Sequence, residues 1–249
     1  LPGHTEISLI RGGNQKYLID IKSRQAASGK KKDLIDAIRN ASWIRHIDPV
    51  MPVIGGSTED LPFASVDEML AYAEKDKLTL ADLAILYEST CSGMATDRVL
   101  SMMGEIVSYV KSSAMEGLSG TVYKDRILGH QSHLILEAER EKRIFMTPMN
   151  RIIAYVTALM EAKSSMGIIV AAPTAGSSGV LGGTLFGIAD GTSYTDEDLS
   201  RAFLAAGMIG VFIADRYTFA AEEGGCQVEC GAASGMTAAG IVNLLGGTA

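Results

Sequence analysis

Two stretches in the last third of the chain are richer in small residues than packing alone requires. The first, Met166-Gly-Ile-Ile-Val-Ala-Ala-Pro-Thr-Ala-Gly-Ser-Ser-Gly-Val-Leu181, carries a Pro-Thr-Ala-Gly-Ser-Ser-Gly loop. The second, Glu222-Glu-Gly-Gly-Cys-Gln-Val-Glu-Cys-Gly-Ala-Ala-Ser-Gly-Met236, sets two cysteines, Cys226 and Cys230, behind a double glycine. Gly and Ser give up buried area and backbone entropy without adding core volume. Such loops suit a backbone that must approach a ligand or cluster closely, framed by helices that small residues allow to pack tightly.

The rest of the chain reads as helical. Ser65-Val-Asp-Glu68 is a capping box ahead of a helix over 69–74, and Thr79-Leu-Ala-Asp82 starts a helix through Glu88. Thr96 is expected to cap a long helix to about Met115, with Val99, Met102, Met103, Ile106 and Val110 inward at three- and four-residue spacing. Thr147-Pro148 opens a helix to about Ser165 that turns Ile152, Ile153, Val156, Leu159 and Met160 inward. Thr195-Asp-Glu-Asp198 starts another, and a last helix runs from near Cys230 to Leu245. Before these, residues 33–41 are amphipathic and residues 47–61 loop-like. Residues 4–10 and 16–22 alternate with period two around Arg11-Gly-Gly-Asn14, as in a hairpin, an extended arm or a linker to a partner domain. The expectation is a mostly α fold. A short extended or hairpin-like arm (1–31) precedes a compact helical domain (32–249) with Gly/Ser-rich active-site loops.

With 249 residues, 47% of them hydrophobic, the chain can build a sizeable core. A net charge of −7 argues against nucleic-acid binding, which needs a basic face, and the Lys30–Lys32 cluster reads as a solvated loop. The apolar run from Ala202 to Ala214, flanked by Arg201, Asp215 and Arg216, falls short of the roughly 18–20 residues of a membrane span and reads as a buried helix. Three cysteines give no disulfide framework and fit a reducing, cytoplasmic setting. No secretory signal is visible, though a trimmed N-terminus would hide one.

Both small-residue stretches resemble the alpha subunit, or alpha domain, of iron-sulfur-dependent L-serine dehydratases, over roughly residues 80 to 249. In that family the first loop reads Ala-Pro-Thr-Ala-Gly-Ser-Cys-Gly and the second Glu-Gly-Gly-Cys-Gln-Ala-Glu-Cys-Gly. This chain departs from it at Ser178, where the family has a cysteine, and at Gly182-Gly183, where it has Pro-Gly. The family also continues past a Gly-Gly-Thr like the one at Gly246–Thr248 into a Cys-Asp-Pro-Val-Ala-Gly segment. The sequence, which starts without Met and stops at Ala249, is accordingly expected to be part of a longer product.

The resemblance implies a lyase that eliminates water from L-serine or a related β-hydroxy acid, giving pyruvate and ammonia from serine. It implies a four-iron, four-sulfur cluster whose exposed iron is the Lewis acid, a β subunit or β domain as partner, and an oligomer. Cys226 and Cys230, at the start of a helix, are the candidate metal ligands that the resemblance implies; read alone, the spacing fits unpaired structural cysteines better. Cys91 is the other thiol, read as a small apolar residue at a helix end, the alternative being that it folds back into the site. Thr174, Ala175, Gly176, Ser177 and Ser178 are the candidate substrate-binding residues, because hydroxyls and N–H groups ahead of a helix starting near Val180 favour a carboxylate. Glu222, Glu223, Glu229 and His130 are candidates for the base. His130 and His133 share a spacing of three, and a surface or core role is open to both.

Other readings stay open at this point. A cluster-less paralogue would be a structural or regulatory subunit, and same-family lyases could act as a cysteine desulfidase or a hydroxymethyl dicarboxylic acid dehydratase. A single zinc on Cys226, Cys230 and a histidine is a third.

Overall fold

The computed structural model describes residues 5–11, 17–23, 61–124, 128–145 and 147–249. The helix expected over 33–41 and the loop up to residue 60 lie outside them. The chain divides into two compact units, 1–53 and 54–249. In the first, strand β1 (Thr5–Arg11) pairs antiparallel with β2 (Tyr17–Ser23), Thr5 opposite Ser23 and Arg11 opposite Tyr17.

The second unit is helical throughout its described residues: α1 (Val66–Asp76), α2 (Leu80–Ser92), α3 (Thr96–Ser119), α4 (Ser132–Arg140), α5 (Pro148–Ser164), α6 (Ser178–Ala189), α7 (Asp196–Arg216), the single turn α8 (Ala221–Gly224) and α9 (Cys226–Leu244). Local chemistry sets several starts. Thr79 and Asp82 form a complete capping box on α2, as do Thr195 and Asp198 on α7, and Thr147 caps α5 with Pro148 in its first turn.

Two starts differ from expectation in their capping. Ser65 accepts from the Glu68 N–H at 3.2 Å, but the Glu68 carboxylate returns to the Ala64 N–H at 2.7 Å instead of closing the box on Ser65. Thr96 is the first helical residue of α3 rather than its cap; Ala95 holds the cap position without a side-chain bond, and the helix continues beyond Met115 to Ser119.

The core has two main parts. Phe63, Met69, Leu83, Leu204, Met208 and Phe212 join α1 and α2 to one end of α7. Val107, Leu159, Leu185, Phe203 and Met236 join α3, α5, α6 and α9 to its other end. Fully buried leucines such as Leu83 and Leu185 each contribute about 1.5–3 kcal/mol.

Small residues bring neighbouring helices close to α5 on two sides. A Cβ on Gly183 would sit 2.5 Å from Val156 Cα, and one on Gly187 2.6 Å from Ile152 Cα, so α6 lies backbone to backbone against α5. Ile152, Val156 and Leu159 face α6, whereas the opposite side of α5 carries Ala154, Ala158 and Ala162, all fully buried, with Ala158 so close to α3 that a Cβ on Gly117 would come 2.7 Å from its Cα. Ile153, expected inward, is 46% exposed, and on α3 Met102 is likewise 37% exposed. Among the described residues no helix is long and apolar enough to cross a membrane.

Candidate functional site

The Pro-Thr-Ala-Gly-Ser-Ser-Gly loop runs from the end of α5 into α6. Its Ala172–Pro173 bond is cis, and the Ala172 N–H donates to the Thr174 carbonyl at 3.2 Å. Thr174 Oγ1 lies 3.0 Å from Ser177 Oγ and accepts from the Ser177 N–H at 3.3 Å. Ser177 and Ser178 are buried, and Ser178 Oγ donates to the Ala175 carbonyl at 2.9 Å. Ala175 and Gly176 are exposed at the crest. The helix starts at Ser178, two residues ahead of expectation.

Cys226 and Cys230 are both exposed and free, and both lie on the first turns of α9, which begins four residues earlier than expected. Gly225 caps this helix with φ 81°, a left-handed conformation suited to glycine, and makes no side-chain cap bond. No side chain of the cap residue takes up the first-turn N–H groups, which lie beside the thiols.

The two motifs meet at Glu229. Thr174 Oγ1 donates to the Glu229 carboxylate, and that carboxylate lies directly over Gly176, where an added Cβ would come 2.8 Å from Glu229 Cδ. Glu229 sits between the two cysteines in sequence, so the same turn that carries the thiols is fastened to the α6 loop. Sequence reasoning took Thr174 and Glu229 as separate candidates; nothing local to either motif signals the pairing.

The remaining candidates lie differently. Glu222 and Glu223 are exposed on α8, immediately ahead of Gly224-Gly225. His130 precedes α4, its Nε2 3.4 Å from Thr121 Oγ1 and its ring 5.2 Å from that of His133. Cys91, near the end of α2, is half-buried; burial pushes its thiol pKa up, Glu88 adds to this, and a hydrogen bond with Tyr87 only partly offsets them.

Two exposed thiols one turn apart at an uncapped helix start fit two thiolate ligands of a cluster. Ser178 does not fit as a third, because its hydroxyl is buried and committed to Ala175. Among the described residues no three His, Cys, Asp or Glu side chains converge in a way that could hold a metal ion. Cys91, His130 and His133 thus do not complete a set with Cys226 and Cys230.

Residues 67–249 match the sequence model of the family described as serine dehydratase alpha chain. The chain belongs to this family. It is 32% identical over 184 residues to the L-serine dehydratase alpha chain of Peptoniphilus asaccharolyticus, covering 73% of this chain and 63% of that protein. It is 29% identical over 187 residues to the probable L-serine dehydratase alpha chain of Bacillus subtilis (strain 168), covering 75% and 62%. To L-serine dehydratase 1 of Escherichia coli (strain K12) it is 28% identical over 192 residues, covering 75% and 42%. The chain thus spans less than two thirds of the length of these serine dehydratase relatives.

Proposed function

We propose that this chain is the alpha-type catalytic part of an iron-sulfur lyase that eliminates water from L-serine or a related β-hydroxy acid. The observation that carries the reading is the contact joining the Cys226–Cys230 turn to the Thr174–Ser178 loop, within a chain of the serine dehydratase alpha family. In serine, loss of the α proton and the β hydroxyl as water gives aminoacrylate. Its imine tautomer takes up one water and releases pyruvate and ammonia.

A four-iron, four-sulfur cluster held in part by Cys226 and Cys230 would supply the Lewis acidity that weakens the bond to the leaving hydroxyl. The residues of this chain do the rest. The exposed crest at Ala175-Gly176, ahead of α6, offers backbone N–H groups to a substrate carboxylate, with Thr174, Ser177 and Ser178 bracing it from below. Glu229 is engaged by Thr174, which leaves the exposed Glu222 and Glu223 and the half-buried His130 as candidates to take the α proton. Further thiolates, and a β subunit or β domain, complete the site from outside the described residues. The domain of residues 32–249 is the catalytic unit and residues 1–31 an arm to it.

A second reading rests on Ser178. Its inward hydroxyl and the two-thiol donor set are also what a cluster-less structural or regulatory paralogue would show. Anaerobic purification of the full-length protein with iron and acid-labile sulfide quantitation separates the two: iron and sulfide in equal amounts, bleached by air, support the lyase. Their absence after reconstitution with a partner subunit supports the paralogue.

A further inference from the structure

We infer that Glu229 is a positioning residue: its tie to Thr174 sets the place and rotation of the α9 start, and with it Cys226 and Cys230, against the α6 loop. The inference rests on the proposed function only in taking those thiols as the ligand pair.

Three observations carry it. Glu229 lies three residues after Cys226 and one before Cys230, within the helical turn that holds both, so any rotation of that turn moves all three side chains together. Its carboxylate accepts the Thr174 hydroxyl, whose oxygen is itself fixed by the Ser177 N–H at 3.3 Å. Gly176 has no side chain to keep the carboxylate away, and any Cβ there would collide with it. The rest of the helix start is weakly held: Gly225 offers no side-chain cap, and Cys226, Gln227 and Cys230 are exposed. Among the described residues the tie is therefore the side-chain hydrogen bond that joins the α9 start to the loop.

A carboxylate engaged in this way is poorly placed to act as the base, because it would have to leave Thr174 to reach a proton elsewhere. Glu229 then acts through the cysteines, not on the substrate.

The test is amide hydrogen exchange in the full-length protein, read on peptides covering residues 226–234 and, as internal reference, on α2. Thr174→Val, nearly isosteric, and Glu229→Gln each should speed exchange in the α9 peptide about tenfold and leave α2 unchanged. The double variant should add nothing beyond either single change, and Thr174→Ser, which keeps the hydroxyl, should restore wild-type exchange. Unchanged exchange in the single variants, additive effects in the double variant, faster exchange spread equally to α2, or failure of Thr174→Ser to restore protection would each overturn the inference. No step of the experiment reads serine turnover, so the lyase reading and this one can fail independently.

Discussion

Ser132 Oγ donates to the Glu161 carboxylate at 2.7 Å inside the helical unit, and Glu161 is only 1% exposed. The same carboxylate accepts the Gln131 N–H at 2.6 Å and the Ser132 N–H at 3.0 Å, so a side chain of α5 closes the open end of α4. Ser132 Oγ can also donate to the Gly117 carbonyl at 3.0 Å, but the Gln131 and Ser132 N–H groups have Glu161 as their acceptor.

Glu161→Ala is accordingly expected to cost about 3 kcal/mol, since buried donors left without partners cost about 1–3 kcal/mol each. Glu161→Gln, which keeps one acceptor oxygen, should cost less. Denaturant unfolding measures both. A Glu161→Ala protein as stable as wild type would show that the cap does not hold α4.

Glycine positions give a prediction with opposite signs. Gly183→Ala forces a Cβ against the Val156 backbone and should destabilise by about 1–3 kcal/mol, the usual cost of overpacking. Gly207, in mid-α7, has nothing within 4 Å of an added Cβ, so Gly207→Ala should stabilise by about 1 kcal/mol through helix propensity. Thermal melting of the two variants, shifted in opposite directions, checks the close α5–α6 contact.

What the sequence shows of this fold is what is local. The boxes at Thr79/Asp82 and Thr195/Asp198, and the Thr147-Pro148 start, depend on residues within one turn and appear where their pattern says. Two sides of α5 are inward, Ile152, Val156 and Leu159 against α6 and Ala154 and Ala158 against α3, and apolarity alone misplaces Ile153 while overlooking the alanines. The functional motifs stand out because they sacrifice packing. The bond between them, Thr174 to Glu229, crosses 55 residues and has no local signature, as does Ser132 to Glu161 across 29.

Acid sensitivity follows from Asp82. Burial pulls its carboxyl pKa up, but hydrogen bonds from Thr79 and Arg201 outweigh this and hold it below the ordinary value. With the folded pKa depressed, the unfolded chain binds the proton first. The stabilisation is complete above about pH 4 and is lost as pH falls through the lower folded value. Asp198 contributes in the same direction, mainly through the Thr195 N–H. Asp82→Asn should flatten the acid limb of a stability-against-pH curve; an unchanged slope would remove Asp82 from the account.

The most direct test of the central claim is pyruvate formation from L-serine by the full-length protein, purified without air and supplied with iron, sulfide and any partner chain encoded with it. Serine-dependent pyruvate, lost in Cys226→Ser and Cys230→Ser variants that keep wild-type circular dichroism, is the predicted result. Cluster-loaded protein that releases no pyruvate, or turnover that persists without both thiols, would contradict it.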